Sequence, residues 1–266
     1  MKKAVIVLLA AFTTTGFASK NEAINSTENN TYVLVHGAWQ APYVWDEVRN
    51  DLIKKGKKVV VVELPGHGSD KTLTHTLNLD IYSNKVIEAV SKVDGKVILV
   101  GHSMAGMVIS NAAEKIPAKI SKLVYIGAFL PKDGQALTDL AYSDPDSKLG
   151  PNLVPSADQL TLDVKQQELV DLFIKDGSQA DKDLVQKNYR AEPAIPFTNK
   201  VTLTKSNFGS VEKIYVKTLQ DLVISPGLQD RMIADAGIKT VYSLNTGHSP
   251  FLSRPQEVSR LLLKIN

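Results

Sequence analysis

The sequence predicts an α/β domain built on a doubly wound, mostly parallel sheet with an inserted helical cap. Three observations point there: short apolar runs rich in Val and Ile recur along the chain, helical patterns separate them, and the alternation breaks once, between about 131 and 210. Runs that do not alternate with polar residues suit strands buried on both faces, as in parallel sheets covered by helices.

The chain opens with Met1-Lys2-Lys3, an apolar run of about nine residues at 4–12, and small residues at Gly16 and Ala18. That order is expected of a secretory signal peptide over 1–18, cleaved near Ala18, because a membrane-spanning helix needs roughly 20 apolar residues. Residues 19–31 are polar and read as a flexible leader. From 32 to 266 a single domain is expected, in a secreted or periplasmic protein, with no membrane insertion.

Within that domain the runs 32–35, 59–62, 97–100, 123–126, 214–216 and 240–242 are the expected strands, and 43–55, 78–92, 104–116, 226–236 and 255–264 the expected helices. This is the βαβ alternation of a doubly wound sheet. The 131–210 stretch, rich in Pro, Asp, Gln and Lys, reads as the cap, with helical periodicity only in pieces such as 162–174. It begins beyond the carboxyl end of a central strand, the edge where open α/β sheets place ligands.

The formal charge of +3 falls to +1 once Lys2 and Lys3 are removed, and no long basic block remains, so nothing suggests a nucleic-acid partner. Cysteine is absent, which excludes disulfides and thiolate metal sites. No dinucleotide fingerprint, phosphate loop or metal-spaced His and carboxylate cluster is present, so no cofactor and no metal are expected. Oligomeric state is left unassigned.

Chemistry concentrates at Gly101-His102-Ser103-Met104-Ala105-Gly106, an apolar strand running through a tight turn into a helix. Such a turn lifts a serine above the sheet on strained backbone, and the helix N-terminus favours the negative charge of acyl transfer. Ala105 stands where glycine is usual, one methyl larger. A serine hydroxyl needs a base, itself oriented by a carboxylate. Of the five histidines, His36, His67, His75, His102 and His248, only His248 follows a late strand, so it is the expected base. Asp221, just past the 214–216 run, is the favoured acid; Asp133 remains its rival, and Asp230 reads as a solvated helix position. Backbone N–H groups of Ala38 and Met104 are the expected oxyanion donors. His36 and His67 read as structural, and His102 as a wall residue. Trp39, His102 and Phe129 are the pocket candidates; Tyr43, Trp45 and Met104 could also line an acyl or alcohol pocket, and for Trp39, Tyr43, Trp45, Met104 and Phe129 core packing is at least as open a reading.

The chain resembles the α/β-hydrolases grouped with plant methyl esterases and hydroxynitrile lyases and their bacterial esterase relatives. The resemblance rests on Tyr32-Val33-Leu34-Val35-His36-Gly37-Ala38 with Trp45, on Glu63-Leu64-Pro65-Gly66-His67-Gly68, on the Ser103 turn, on Tyr125-Ile126-Gly127-Ala128-Phe129-Leu130-Pro131, and on Gly247-His248-Ser249-Pro250 with Ser253-Arg254-Pro255. It implies the α/β-hydrolase fold, a Ser103, Asp221 and His248 triad, and an oxyanion hole from Ala38 and Met104. The family's lyases carry threonine in the first loop and lysine after the histidine; here Gly37 and Ser249 stand there, which argues for ester hydrolysis. The expected function is a secreted serine esterase acting on a small or apolar carboxylic ester. Lactone, carbon–carbon or cyanohydrin cleavage by the same triad, and low-turnover ligand binding, are the alternatives.

Overall fold

The computed structural model describes Met1 and residues 31–265; residues 2–18 of the expected signal peptide and 19–30 of the expected leader lie outside the described residues, and Thr31, the last residue of that leader, is buried as the first residue of a strand. The strands are β1 Thr31–Val35, β2 Val59–Val62, β3 Val97–His102, β4 Ile120–Ile126, β5 Leu153–Pro155, β6 Thr161–Val164, β7 Glu192–Pro193, β8 Glu212–Thr218 and β9 Thr240–Leu244. Six form one sheet in the order β2-β1-β3-β4-β8-β9, with every neighbouring pair parallel.

That order contains one reversal. The chain steps from β1 outward to β2, then returns past β1 to β3 and continues through β4, β8 and β9. With right-handed crossovers the reversal changes the face on which the connecting helix lies. Accordingly α1 (Asp46–Lys54) packs with α10 (Pro255–Ile265), while α2 (Leu79–Ser91) packs with α3 (Ala105–Lys115). The crevice beyond the carboxyl ends of β1 and β3 is the switch point, where open α/β sheets bind ligands.

Burial follows position in the sheet. All residues of β1 and β3 are buried, as their apolar runs predict, whereas Val59, Val60 and Val61 of the edge strand β2 are half-buried. The opposite edge, β9, leaves Val241 and Ser243 exposed. An edge strand has a neighbour on one side only, so an apolar run there overstates its burial. Helix α8 (Pro226–Ala236) is bounded by local chemistry: the Ser225 hydroxyl accepts from Leu228 N–H at 3.1 Å, and Gly237 ends it at φ 63°. Helix α10 buries Val258, Leu262 and Ile265, a stripe at helical spacing.

Between β4 and β8 lie α4 (Leu137–Tyr142), α5 (Leu169–Ile174), α6 (Gln179–Asn188) and α7 (Ile195–Thr198), together with an antiparallel sheet β5-β6-β7. The insertion is therefore mixed, where a helical cap was expected. Residues 162–174 in particular divide into β6 and α5. Leu162 pairs with Glu192 and Leu153 with Val164, and Val164 N–H donates to Tyr189 Oη at 2.7 Å, so cross-chain pairing overrides a helical period. The last short helix, α9 (Pro250–Ser253), leads from the β9 loop into α10.

Candidate active site

Ser103 follows β3 directly and has φ 54°, a left-handed conformation that costs a non-glycine residue about 1–3 kcal/mol and persists only when its surroundings enforce it. The enforcement is close packing. A β-carbon on Gly101 would lie 2.9 Å from Ala105 O, and one on Gly106 would lie 1.9 Å from Phe129 O. Ser103 O accepts from Gly106 N–H at 3.0 Å and from Phe129 N–H at 3.1 Å. The indispensable small residue after the serine is thus Gly106, and Ala105 takes the usual glycine's place with its methyl group buried.

Ser103 Oγ lies 3.1 Å from His248 Nε2, and His248 Nδ1 lies 2.9 Å from Asp221 Oδ2 and 3.0 Å from Oδ1. Nδ1 therefore carries its proton toward the carboxylate, which leaves the Nε2 lone pair for the serine hydroxyl. Asp221 is fixed by other donors: Val223 N–H at 2.8 Å and Ile224 N–H at 3.0 Å to Oδ1, and the Thr218 hydroxyl at 2.7 Å to Oδ2. Gln229 on α8 donates to Thr218 Oγ1 and Ile224 O and accepts from Thr218 N–H. Gly127 completes the fit, since a β-carbon there would lie 2.7 Å from Thr218 Oγ1. All three residues of the constellation are almost fully buried. Asp133, the rival acid, is turned elsewhere and accepts from Leu203 N–H at 2.8 Å; Asp230 pairs on the surface with Lys217.

Among the described residues neither Ala38 N–H nor Met104 N–H has a hydrogen-bond partner, and both residues line the cavity that holds Ser103. Met104 precedes α3, so its N–H adds to the positive end of that helix. Gly37 lets the β1 loop reach the serine, because a β-carbon there would lie 2.8 Å from Ser103 Cβ and 2.7 Å from His102 Nδ1. Two free donors beside a serine paired to histidine can hold a carbonyl oxygen while it gains charge.

His102 does not line the cavity as expected. It is buried under the constellation, with Nε2–H donating to His248 O at 2.8 Å, so it supports the loop that carries His248. Burial, with His248 close by, holds its pKa well below the usual value, and it stays a neutral prop. His36 is likewise neutral: Nδ1–H donates to Gly37 O at 2.9 Å, Nε2 accepts from Leu64 N–H, and burial with His67 nearby lowers it to about 3.

The cavity has a volume of about 520 Å³. Trp39 and Phe129 line it, as expected, beside Leu137, Leu149, Leu153, Leu162 and Phe197 from the cap. Trp45 instead packs in the core against Phe251, and Tyr43 borders a separate groove. The lining holds no Lys, Arg or His among the described residues, and its one carboxylate, Asp144, is occupied by Ser225 N–H and Ser225 Oγ. Such a surface accepts a neutral, largely apolar molecule. No sequence pattern marks Asp144, Gln229, or the cap residue Glu192, which reaches the Ala38 loop from 153 positions away.

Comparison with known proteins agrees with this architecture. A profile described as "Alpha/beta hydrolase family" matches residues 32–261. The chain is 31% identical over 265 residues to putative methylesterase 11, chloroplastic, of Arabidopsis thaliana, covering 94% of this chain and 67% of that protein. It spans 57% to 74% of the length of the chloroplastic methylesterases it matches. An α-hydroxynitrile lyase of the same plant is 28% identical, over 85% of this chain and 93% of that one. Among solved structures, an extracellular α/β-hydrolase from a Paenibacillus species, described as sharing structural and functional homology with tobacco salicylic acid binding protein 2, is 27% identical. It superposes with a TM-score of 0.76 over 88% of this chain and 98% of its own.

Proposed function

The chain belongs to the α/β-hydrolase family, in its methylesterase-like branch, and from that premise we propose that it is a carboxylic ester hydrolase working through an acyl-enzyme on Ser103. The observation that carries the proposal is the unbroken series Ser103 Oγ, His248 Nε2, His248 Nδ1 and Asp221, at a cavity also lined by Ala38 and Met104, whose backbone N–H groups have no partner among the described residues.

In the first half-reaction Ser103 Oγ bonds to the ester carbonyl carbon while its proton passes to His248 Nε2. The carbonyl oxygen becomes an oxyanion that accepts from Ala38 N–H and Met104 N–H. Asp221 holds the imidazole and balances its positive charge. The carbon–oxygen bond to the alcohol then breaks as the imidazolium returns the proton to the leaving oxygen. In the second half, water gives its proton to His248 and its oxygen to the acyl carbon, and the Ser103 bond breaks as the proton returns to Oγ. The apolar cavity and its lack of cationic lining favour a small neutral ester without a free carboxylate.

Secretion is part of the same proposal and rests on residues 1–18. Mature protein beginning after Ala18, found by N-terminal sequencing in the periplasm or medium of the producing cells, supports it; full-length protein confined to the cytosol opposes it. The activity is tested with a p-nitrophenyl ester series, from acetate to long acyl chains, comparing wild type with Ser103→Ala. Turnover by wild type alone supports the mechanism. Turnover of cyanohydrins in place of esters would assign a lyase reaction instead.

A further inference from the structure

The structure carries a second buried histidine–carboxylate pair that the proposed mechanism leaves without a task. Glu192 of β7 is fully buried, and its Oε2 accepts from His67 Nε2–H at 2.8 Å and from Trp39 N–H at 2.8 Å. The partners come from three separate parts of the chain: the cap, the turn after β2, and the loop after β1.

His67 is the cationic half of this pair. Both ring nitrogens face acceptors, Nδ1 toward Pro65 O at 3.1 Å and Nε2 toward Glu192, so both carry protons. Burial alone would depress its pKa, but the charge and hydrogen bond of Glu192 outweigh burial and raise it. Around the pair, His36 lies 4.9 Å from His67, ring to ring, and is neutral, Tyr82 meets the same ring edge-on at 5.5 Å, and Arg190, which donates to Asp70 O at 2.7 Å, is a nearby cation that opposes the charge on His67 without cancelling the effect of Glu192.

The remaining bond of Glu192 Oε2 goes to the residue next to Ala38. Trp39 has φ 58°, a conformation strongly disfavoured for a bulky side chain unless its surroundings impose it. Two cap atoms impose it: Glu192 Oε2 on the backbone N–H and Leu162 O on the indole Nε1–H, at 2.8 Å each. Turning the Trp39 peptide away from Glu192 would rotate the chain at Ala38, a residue that lines the cavity with Ser103 and whose own N–H has no partner among the described residues.

We propose that Glu192, anchored by His67, is a positioning residue for the oxyanion loop: its carboxylate holds the Trp39 N–H so that the Ala38 N–H faces the carbonyl attacked by Ser103. The proposal rests on the ester hydrolase reading, because it assigns Glu192 a role through the oxyanion donor of that reaction. A cap fastener alone would act on substrate binding. A residue that aims an oxyanion donor acts on the transition state and leaves ground-state binding nearly unchanged.

The test compares wild type, Ser103→Ala, Glu192→Gln, Glu192→Met and the double variant His67→Leu with Glu192→Met, on p-nitrophenyl butyrate, with thermal unfolding measured beside kinetics. The double variant leaves neither charge buried and so keeps the test available if Glu192→Met alone does not fold. Both proteins carrying Glu192→Met are expected to lose roughly 10- to 100-fold in kcat with KM within about twofold, in keeping with a misplaced oxyanion donor. Glu192→Gln, which keeps an oxygen for Trp39 N–H, is expected to restore kcat to within about fivefold of wild type. A folded double variant with wild-type kcat, or one in which only KM rises, overturns the positioning role while wild-type turnover and an inert Ser103→Ala leave the hydrolase reading standing. An inert wild type overturns both.

Discussion

The loops at the carboxyl edge of the sheet and the inserted cap solve different problems. Ser103, Asp221 and His248 each stand within a few residues of a strand end, on β3, β8 and β9; the serine turn and the acid are held by nearby sequence or the adjoining strand loop, through Gly106 and Phe129 and through Thr218, Val223 and Ile224, while the histidine loop rests on His102 at the end of β3. The cap supplies most of the cavity wall and is tied to the sheet edge through distant partners such as Glu192 with His67, Leu162 with Trp39, and Asp144 with Ser225. On the proposed mechanism, geometry that tolerates errors of only a fraction of an ångström falls mainly on the rigid frame, with Glu192 as the cap's contribution to it, and the cavity wall that meets the substrate falls mainly on the insertion.

The largest expected effects lie on the frame. Ser103→Ala should lower kcat by at least about 10⁴-fold while the protein stays folded, since only a hydroxyl is removed. Asp221→Asn should lower kcat on the order of 10³- to 10⁴-fold, because an amide no longer fixes the tautomer with Nε2 free. Full activity in that variant would return the acid role to Asp133. Gly106→Ala puts a β-carbon 1.9 Å from Phe129 O and should destabilise the protein by about 3 kcal/mol, read as a lower urea midpoint. An unchanged midpoint would show that the serine turn is not packed as described.

Along the cap wall of the cavity, away from the Glu192 contact, the effects should be smaller and of another kind. Leu149→Trp fills part of the cavity and should raise KM for long-chain esters about tenfold while p-nitrophenyl acetate changes less than about twofold. Equal effects on both esters would mean that the cap does not set chain length.

How the two regions read from sequence follows the same division. The strands, the Ser103 turn and the order Ser, Asp, His were legible because each signal is local: an apolar run, a Gly-rich turn, a single polar residue at a strand end. The edge strands β2 and β9 were legible in position but less buried than their composition suggested. Cap details were not legible. The 162–174 period pointed to a helix, yet Leu162 joined a strand because Glu192 and Leu153 lay opposite that strand as partners. His102 reads from sequence as a pocket-wall residue, whereas its ring bonds to His248 O beneath the site. Glu192 itself, in Arg190-Ala191-Glu192-Pro193, has no pattern that announces partners 125 and 153 positions away.

The two neighbouring histidines allow the smallest and most specific test of the frame against the cap contact. His36 has a folded pKa lowered to about 3, so its contribution to stability is complete above its unfolded value near 6.5 and is lost as pH falls toward 3. His67 has a raised value, so its contribution is complete below about 6.5 and is lost as pH rises through its folded value. Relative to His36→Gln, wild type should lose about 1.5 kcal/mol more unfolding free energy between about pH 6.5 and 5. Parallel pH curves for the two proteins would show that His36 is not held neutral.

The central claim is that Ser103 carries the acyl group during turnover. The direct measurement is peptide mapping by mass spectrometry of wild-type protein acid-quenched during turnover of p-nitrophenyl butyrate, beside Asp221→Asn, in which slowed deacylation should let the intermediate accumulate. A butyryl group on the peptide bearing Ser103, absent from Ser103→Ala, is the predicted result; an adduct on another residue, or steady ester turnover by Ser103→Ala, would contradict it.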